Sequence, residues 1–76
     1  MVLAYILITV KPTFESEVAT ELLKYHQIIN THVLFGEYDL IVKVKANSEI
    51  ALKNFILNII RKIPNVLTTR TLIVAD

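Results

Sequence analysis

The sequence predicts a small α+β domain with the element order βαββαβ. Three observations lead to this order. Four runs are rich in β-branched and other apolar residues, two segments between them carry apolar residues at helical spacing, and the only glycine, Gly36, separates two strand-like runs near the middle of the chain. A glycine between β-formers most often marks a hairpin, because it adopts a positive φ without strain.

The first half of the chain is predicted to form a strand, a helix and a second strand. Residues 3–10 are apolar on both alternating faces, which favours an interior strand, and Pro12 ends it. A helix is predicted over residues 14–25, because apolar residues recur at i, i+4 and i+8, with Thr13 as the expected N-cap. A shorter strand is predicted over residues 31–35.

The second half repeats this pattern. Residues 38–46 alternate apolar with polar positions and predict the third strand. Asn47-Ser48 is a strong N-cap signal for a helix over residues 49–62, and residues 67–75 form the last predicted strand. Two βαβ-like halves joined by a hairpin predict the ferredoxin-like fold, a four-stranded antiparallel sheet with two helices on one face.

The face of the sheet opposite the helices is predicted to be unusually apolar. We expect the first and third strands to lie at the centre and to run parallel, which would group Thr9, Lys43 and Lys45 at one end. Four apolar side chains would occupy the other end: Leu3, Tyr5, Leu7 and Ile41. A patch of this kind is uncommon on a monomer. Hiding ~400 Å² of it would contribute on the order of 10 kcal/mol before association costs, so we expect these residues to form a two-fold dimer interface, sheet against sheet.

Composition excludes several functional classes. The net charge is +1, from 8 basic and 7 acidic side chains that are interspersed, which does not favour direct nucleic-acid binding. No apolar run approaches the ~20 residues of a membrane span, and the first residues lack the features of a signal peptide. There are no cysteines for disulfides or thiolate metal sites. A soluble cytoplasmic protein is therefore expected.

Residues with catalytic or metal-binding chemistry are few. His26 and His32 are the only histidines, and their spacing does not suit a metal site, so both are predicted to be surface residues. No phosphate-binding loop or nucleophile elbow is present. The sequence predicts no catalytic residue, no metal and no cofactor.

Two polar stretches are candidates for ligand binding. One is the hairpin segment Gly36-Glu37-Tyr38-Asp39, and the other is the hydroxyl-rich stretch 67–71. A solvated turn and the ordinary β-propensity of threonine are the simpler interpretations. Asp is nevertheless uncommon in β-strands, and Asp39 lies at the start of a predicted central strand. The last strand is expected to start at the hairpin end of the sheet, where both helices are expected to finish, so carboxylates, amides and hydroxyls would converge there around a small zwitterion.

Three segments of the chain resemble a known family. They are the run Gly-Glu-Tyr-Asp-Leu-Ile-Val-Lys-Val from residue 36, the opening Ala-Tyr-Ile-Leu-Ile-Thr-Val-Lys-Pro, and the closing Ile-Pro-Asn-Val and Thr-Arg-Thr-Leu-Ile-Val. Together they resemble the C-terminal effector domain of Lrp/AsnC regulators, called RAM for regulation of amino-acid metabolism. The resemblance covers residues 3–75. Where the family commonly has Pro-Gly, this chain has Pro12-Thr13, which affects a turn and not the site.

The resemblance implies a single RAM-like ligand-binding and oligomerisation domain over residues 1–76. Because no helix-turn-helix precedes the first strand, it is expected to be a stand-alone module. The family pairs through its sheets, commonly assembles into octamer-like rings and binds an amino-acid effector between dimers. The implied ligand-binding residues are Gly36, Glu37, Tyr38, Asp39, Thr69 and Thr71. Amides near Gly36 would bind the ligand carboxylate and Asp39 its ammonium group.

Three functions follow as hypotheses. The first is an amino-acid sensor related to Lrp/AsnC regulators, with co-assembly with full-length regulators as a further expectation. The second is a small dimeric enzyme acting on a compact organic substrate, which would need a polar, pKa-tuned group in the core, whereas the predicted helix-facing positions are all apolar. The third is a structural oligomerisation domain without a ligand.

Overall fold

The predicted element order is confirmed by a computed structural model, which describes all 76 residues. The elements are β1 (Val2–Val10), α1 (Glu15–Leu22), β2 (Ile28–Val33), β3 (Leu40–Ala46), α2 (Glu49–Asn58), a 3-10 helix (Ile60–Lys62) and β4 (Val66–Ile73). The strands form one sheet in the order β2-β3-β1-β4, and all neighbours are antiparallel. This is the ferredoxin-like α+β fold, with β1 and β3 at the centre as expected.

The expectation that β1 and β3 run parallel is wrong. They are antiparallel, with Leu3 opposite Lys45 and Tyr5 opposite Lys43. The reason is topological: the crossover through α1 makes β2 parallel to β1, and the hairpin then reverses the chain, so β3 enters between them in the opposite direction. Thr9 therefore lies far from both lysines, and its hydroxyl is hydrogen-bonded to that of Thr68 on β4.

The core lies between the sheet and the helices and is entirely apolar. Sixteen residues are buried, and none of them is polar or charged. On the sheet they are the alternate residues of β1 and β3, which confirms the predicted helix-facing face. The buried residues are Ala4, Ile6, Ile8, Val10, Val18, Leu22, Ile28, Leu40, Val42, Val44, Ala46, Leu52, Phe55, Ile56, Ile60 and Ile63. Ile59 packs against this core and is only partly buried.

Element boundaries differ from the predictions where packing overrides local pattern. Helix α1 ends at Leu22, three residues earlier than predicted, and β2 starts at Ile28 because that side chain packs into the core. The predicted second helix is divided into α2 and the 3-10 helix. No helix of the structure is both long enough and apolar enough to cross a bilayer.

The two helices are capped differently. Ser48 is the predicted N-cap of α2, and its Oγ accepts a hydrogen bond from the Ala51 amide at 3.1 Å. The prediction for Thr13 is wrong: the N-cap of α1 is Phe14, without a side-chain hydrogen bond. Thr13 instead adopts a φ of 76°, in the left-handed region that β-branched residues rarely occupy. The turn therefore holds its threonine under backbone strain.

Both edge strands contain an irregularity in their pairing. Between β2 and β3 the register shifts from Ile28 to Asn30, which leaves Ile29 as an extra residue. Between β4 and β1 the register shifts between Thr9 and Val10, and Leu67 is the extra residue on β4. Bulges of this kind bend a strand and increase its local twist.

Replacing Thr13 by Gly is expected to stabilise the fold. A non-glycine residue in the left-handed region destabilises the folded state by ~1–2 kcal/mol. Glycine removes this strain, but its greater freedom in the unfolded chain offsets ~0.5–1 kcal/mol of the gain. The net gain in the free energy of unfolding is therefore about 0.5–1 kcal/mol, a rise in Tm of a few degrees measured by thermal denaturation. As a matched control, Thr20→Gly on the exposed side of α1 should lower Tm. A lower Tm for Thr13→Gly would contradict this account of the turn.

Candidate functional site

The connection between β2 and β3 is a six-residue loop, residues 34–39, that carries the predicted hairpin motif. Gly36 has a φ of 133°, and no atom lies within 4 Å of the position that a Cβ would occupy. The glycine is therefore required by its backbone conformation and not by lack of space. The loop is closed by a hydrogen bond from the Leu34 amide to the Asp39 carbonyl at 2.8 Å. Glu37 is exposed and Tyr38 is half-buried.

Asp39 joins this loop to the central strand β1. Its amide donates to the Ile8 carbonyl at 2.9 Å, and its Oδ2 accepts a hydrogen bond from the Val10 amide at 2.8 Å. The carboxylate thus continues the β1–β3 pairing by one step before the start of β3. Its other oxygen, Oδ1, has no hydrogen bond to the protein. This structural role of Asp39 was not foreseen from sequence, because it depends on which strand lies beside the loop.

Thr69 and Thr71 lie on β4, opposite Ile8 and Ile6, and therefore on the side of the sheet that faces the helices. Both are half-buried beside an open groove between α2 and β4 with a volume of about 540 Å³. The groove is lined by Glu49, Ile50, Leu52, Lys53, Ile56, Leu57, Arg61, Thr69, Thr71 and Ile73. The hairpin motif does not line it, so the two groups of predicted ligand-binding residues do not share a pocket within one chain.

The two groups nevertheless lie at neighbouring positions across the sheet. Ile8 pairs with Leu40 on one side and Thr69 on the other. Two inter-strand spacings, about 10 Å in total, therefore separate the start of β3 from Thr69. The expectation that both helices finish at this end is half wrong. Helix α2 finishes here, but α1 begins here, because it follows directly from the end of β1.

The groove has chemistry at its rim that sequence reasoning missed. Arg61 lies in the 3-10 helix that leads into β4, is exposed, and borders the groove together with Thr69. A guanidinium group beside hydroxyl groups is suited to a carboxylate. The sequence did not identify Arg61 as a site residue, because the groove depends on how α2 packs against β4.

The open face of the sheet carries the four predicted interface residues, Leu3, Tyr5, Leu7 and Ile41, all half-buried and covered by no helix. Leu72 extends the patch on β4, opposite Tyr5. Lys43 and Lys45 lie beside Tyr5 and Leu3, so the prediction that these lysines occupy the opposite end of the face from the patch is wrong. Lys43 Nζ lies 5.9 Å from the centre of the Tyr5 ring, a cation–π distance.

Titratable groups elsewhere do not form a site. No three His, Cys, Asp or Glu side chains lie close enough together to hold a metal ion. His26 and His32 are both exposed. At the end of α1, the hydrogen bond from Lys24, two residues beyond the helix, to Glu21, at 2.8 Å, raises the pKa of the lysine.

The chain is similar to transcriptional regulators from three Pyrococcus species. The HTH-type transcriptional regulator FL11 of Pyrococcus horikoshii is 43% identical over 72 residues, which cover 95% of this chain and 47% of the relative. The chain spans about half the length of the curated relatives it matches.

Solved structures show the same fold. The crystal structure of FFRP-DM1 superimposes with a TM-score of 0.95 at 40% identity, covering 99% of this chain and 100% of that one. A feast or famine regulatory protein from M. tuberculosis, complexed with L-methionine, has a TM-score of 0.86 at 23% identity, covering 100% of this chain and 51% of that one. This second likeness shows the fold alone.

The family assignment comes from a model of the ligand-binding region. The model described as the Lrp/AsnC ligand binding domain matches residues 3–76. The match includes the hairpin motif, Thr69 and Thr71, and every helix and strand except the first residue of β1. The chain therefore belongs to the Lrp/AsnC ligand-binding domain family.

Proposed function

We propose that residues 1–76 form an amino-acid-binding and oligomerisation module that modulates transcription regulators of the Lrp/AsnC type. The observation that carries this proposal is the match of nearly the whole chain to a ligand-binding domain model. The similarity to FL11, a transcriptional regulator, supports a regulatory role in the cytoplasm and co-assembly with full-length regulators. In this role the module binds and does not catalyse.

The site chemistry supports an amino acid as the effector. Asp39 Oδ1 has no hydrogen bond to the protein and is free to accept one from a ligand ammonium group. The exposed turn at Gly36 offers backbone amides for the ligand carboxylate. Thr69 and Thr71 add hydroxyl groups beside an apolar groove. The L-methionine bound to the M. tuberculosis relative is consistent with this class of ligand.

The ligand site is proposed to be completed between copies of the chain. The hairpin motif and the two threonines line no common pocket within one chain. Bringing the loop of one copy towards β4 of another would place both groups around one ligand. The effector would then shift assembly by as much as its affinity differs between the free and the assembled states.

The first step of assembly is proposed to be a two-fold dimer formed through the open faces of two sheets. Leu3, Tyr5, Leu7 and Ile41 form its centre, extended by Leu72. An isologous interface is self-complementary, so the same apolar patch meets itself. Dimers of this kind would then assemble into a ring such as an octamer.

A ligand-free structural module is the second candidate, and one observation favours it. The Asp39 carboxylate already accepts the Val10 amide, so the unusual acid at the start of β3 has a structural reason to be there. The small-enzyme hypothesis has no comparable support, since every buried residue is apolar.

Asp39→Asn separates the structural role of this side chain from its role in binding. The amide oxygen of Asn can still accept from Val10, so we expect the free energy of unfolding to change by less than about 1 kcal/mol. The negative charge is lost, so affinity for the effector should fall at least about tenfold, since hydrogen bonds to charged groups contribute ~1.5–3 kcal/mol. The ligand would be found by thermal-shift screening against the twenty amino acids, and its affinity measured by calorimetry.

Glu17→Gln, on the exposed surface of α1, is the matched control and should bind as the wild type does. Unchanged affinity of folded Asp39→Asn would remove Asp39 from the ligand site. If no amino acid shifts the melting temperature of the wild type, the structural module becomes the better account.

Leu7→Lys is expected to disrupt the sheet-to-sheet dimer. Leu7 lies between Ile41 and Arg70 at the centre of the open face, so two lysines would face each other across the two-fold axis beside existing positive charge. Light scattering at micromolar concentration should show a dimer-based assembly for the wild type and single chains for the variant. Leu23→Lys, at the exposed C-cap position of α1, should leave the mass unchanged. A monomeric wild type would refute the dimer.

A further inference from the structure

A cleft with a volume of about 340 Å³ lies at the end of the sheet opposite the hairpin motif. It opens where β3 passes into α2, beside the start of β1 and the turn before β2, and is called the β3–α2 cleft. Its lining residues are Met1, His26, Gln27, Lys45, Ala46, Asn47, Ala51 and Phe55. The whole of β3, Leu40–Ala46, separates it from Asp39, a distance of about 20 Å at ~3.4 Å per residue. The cleft is therefore distinct from the amino-acid site proposed above.

The floor of the β3–α2 cleft is apolar and its rim is polar. Phe55 and Ala46 line it and are buried in the core. The lining side chains of Lys45, His26 and Asn47 are exposed, so an ammonium, an imidazole and an amide group surround the opening. An apolar floor with a few convergent polar groups is the usual composition of a small-molecule site, and the volume lies within the ~300–1,000 Å³ range of such sites.

Gln27 has an unsatisfied polar atom beside this cleft. Its Oε1 is buried and has no hydrogen-bond partner, which is uncommon for a buried polar atom. The backbone of the residue is fixed, because its carbonyl accepts a hydrogen bond from the Lys45 amide at 2.9 Å. No hydrogen bond restrains the side-chain amide. The amide can therefore turn towards a ligand, and it can donate through Nε2 as well as accept through Oε1.

The charges around the cleft favour an anion. Lys45 forms no ion pair, and no acidic side chain lines the cleft. Glu49, the nearest acidic residue along the chain, lines the groove between α2 and β4 instead. The first turn of α2 also lies at the cleft, so the positive end of the helix dipole adds to the charge of the lysine. The ammonium group of an amino acid would find no carboxylate here.

We propose that the β3–α2 cleft binds a small organic anion with an apolar body and no ammonium group, for which 2-oxo acids are the matching chemical class. The carboxylate pairs with Lys45, a charge-assisted contact. The 2-oxo oxygen accepts hydrogen bonds from the side-chain amides of Gln27 and Asn47, and the apolar body lies on Phe55. This site is additional to the proposed amino-acid site and does not depend on it.

Calorimetry of the wild type with pyruvate and with 4-methyl-2-oxopentanoate is the first test. The larger acid should bind at least about tenfold more tightly, because its three additional carbons become buried on Phe55. Leucine has the same apolar body with an ammonium group in place of the 2-oxo oxygen, so it should not displace the larger acid. Equal affinities of the two acids, displacement by leucine, or no binding of either acid would overturn the proposal.

Lys45→Gln tests the charge contact. The affinity for 4-methyl-2-oxopentanoate should fall at least about tenfold, since the hydrogen bond to a charged donor is lost. Lys11→Gln, at an exposed lysine beyond the other end of β1, is the matched control and should bind as the wild type does. Lys45 lies opposite Leu3 of the open face, so light scattering checks that the mass is unchanged. Unchanged affinity of Lys45→Gln would refute the assigned anion site.

Gln27→Leu provides a second variant that does not alter the open face. It removes the buried atom that has no partner, so the Tm should rise. The same change removes a donor to the 2-oxo oxygen, so the affinity for 4-methyl-2-oxopentanoate should fall about two- to tenfold. A purely structural role of Gln27 would move the Tm alone. Unchanged affinity in the folded variant would therefore remove Gln27 from the site.

Opposite sensitivities distinguish this site from the proposed amino-acid site. Asp39→Asn should weaken binding of an amino-acid effector and leave binding of 4-methyl-2-oxopentanoate at the wild-type level, and Lys45→Gln should do the reverse. Loss of 2-oxo acid binding in Asp39→Asn would place the anion at the hairpin motif and overturn the second site. A wild type that binds the 2-oxo acid and no amino acid overturns the proposed sensor and supports the cleft.

Discussion

The packing of the sheet against helices on one side only is the constraint on which the rest of the structure depends. All sixteen buried side chains are apolar, and those of β1 and β3 come from one set of alternating positions. A chain of this length has no third layer with which to cover the other set. The open face nonetheless carries Leu3, Tyr5, Leu7 and Ile41. Because both helices pack on the same side of the sheet, the other side keeps an apolar surface that a single copy has no means of burying.

The connection between β2 and β3 illustrates how one residue can serve both fold and site. Asp39 holds the loop to β1 through its amide and one carboxylate oxygen. This attachment fixes where Gly36 and Glu37 lie, and it leaves Oδ1 for a ligand. A loop tied to the central strand is a more rigid platform than a hairpin attached only at its two ends, which favours pre-organised binding and docking.

Sequence patterns were sufficient to predict the element order and the core. The spacing of apolar residues, every second position in strands and every third or fourth in helices, reports directly on which side chains are buried. The alternation in residues 38–46 identified the inner face of the third strand, and Ser48 identified the start of α2. The relative direction of β1 and β3 was predicted wrongly, since it depends on the handed crossover through α1 and not on any local pattern. The capping role of Thr13 failed for a related reason: the turn required a left-handed residue at that position.

The candidate site was only partly accessible from sequence. The hairpin motif and the threonines of β4 were identified, but their separation on the two sides of β1 follows from strand register, which no single segment encodes. Arg61 and the groove beside it were missed, because a groove is a property of two packed elements.

The irregularities at Ile29 and Leu67 have a consequence for how such a small sheet avoids uncontrolled growth. They fall on the two outermost strands, the positions where unpaired amides and carbonyls would otherwise recruit further strands from other molecules. A bulge in each outer strand bends it locally, which makes the ladder harder to extend by a further strand. The outer strands are thereby poor templates for further strand pairing, whereas the open face still carries the apolar residues through which two copies are proposed to associate.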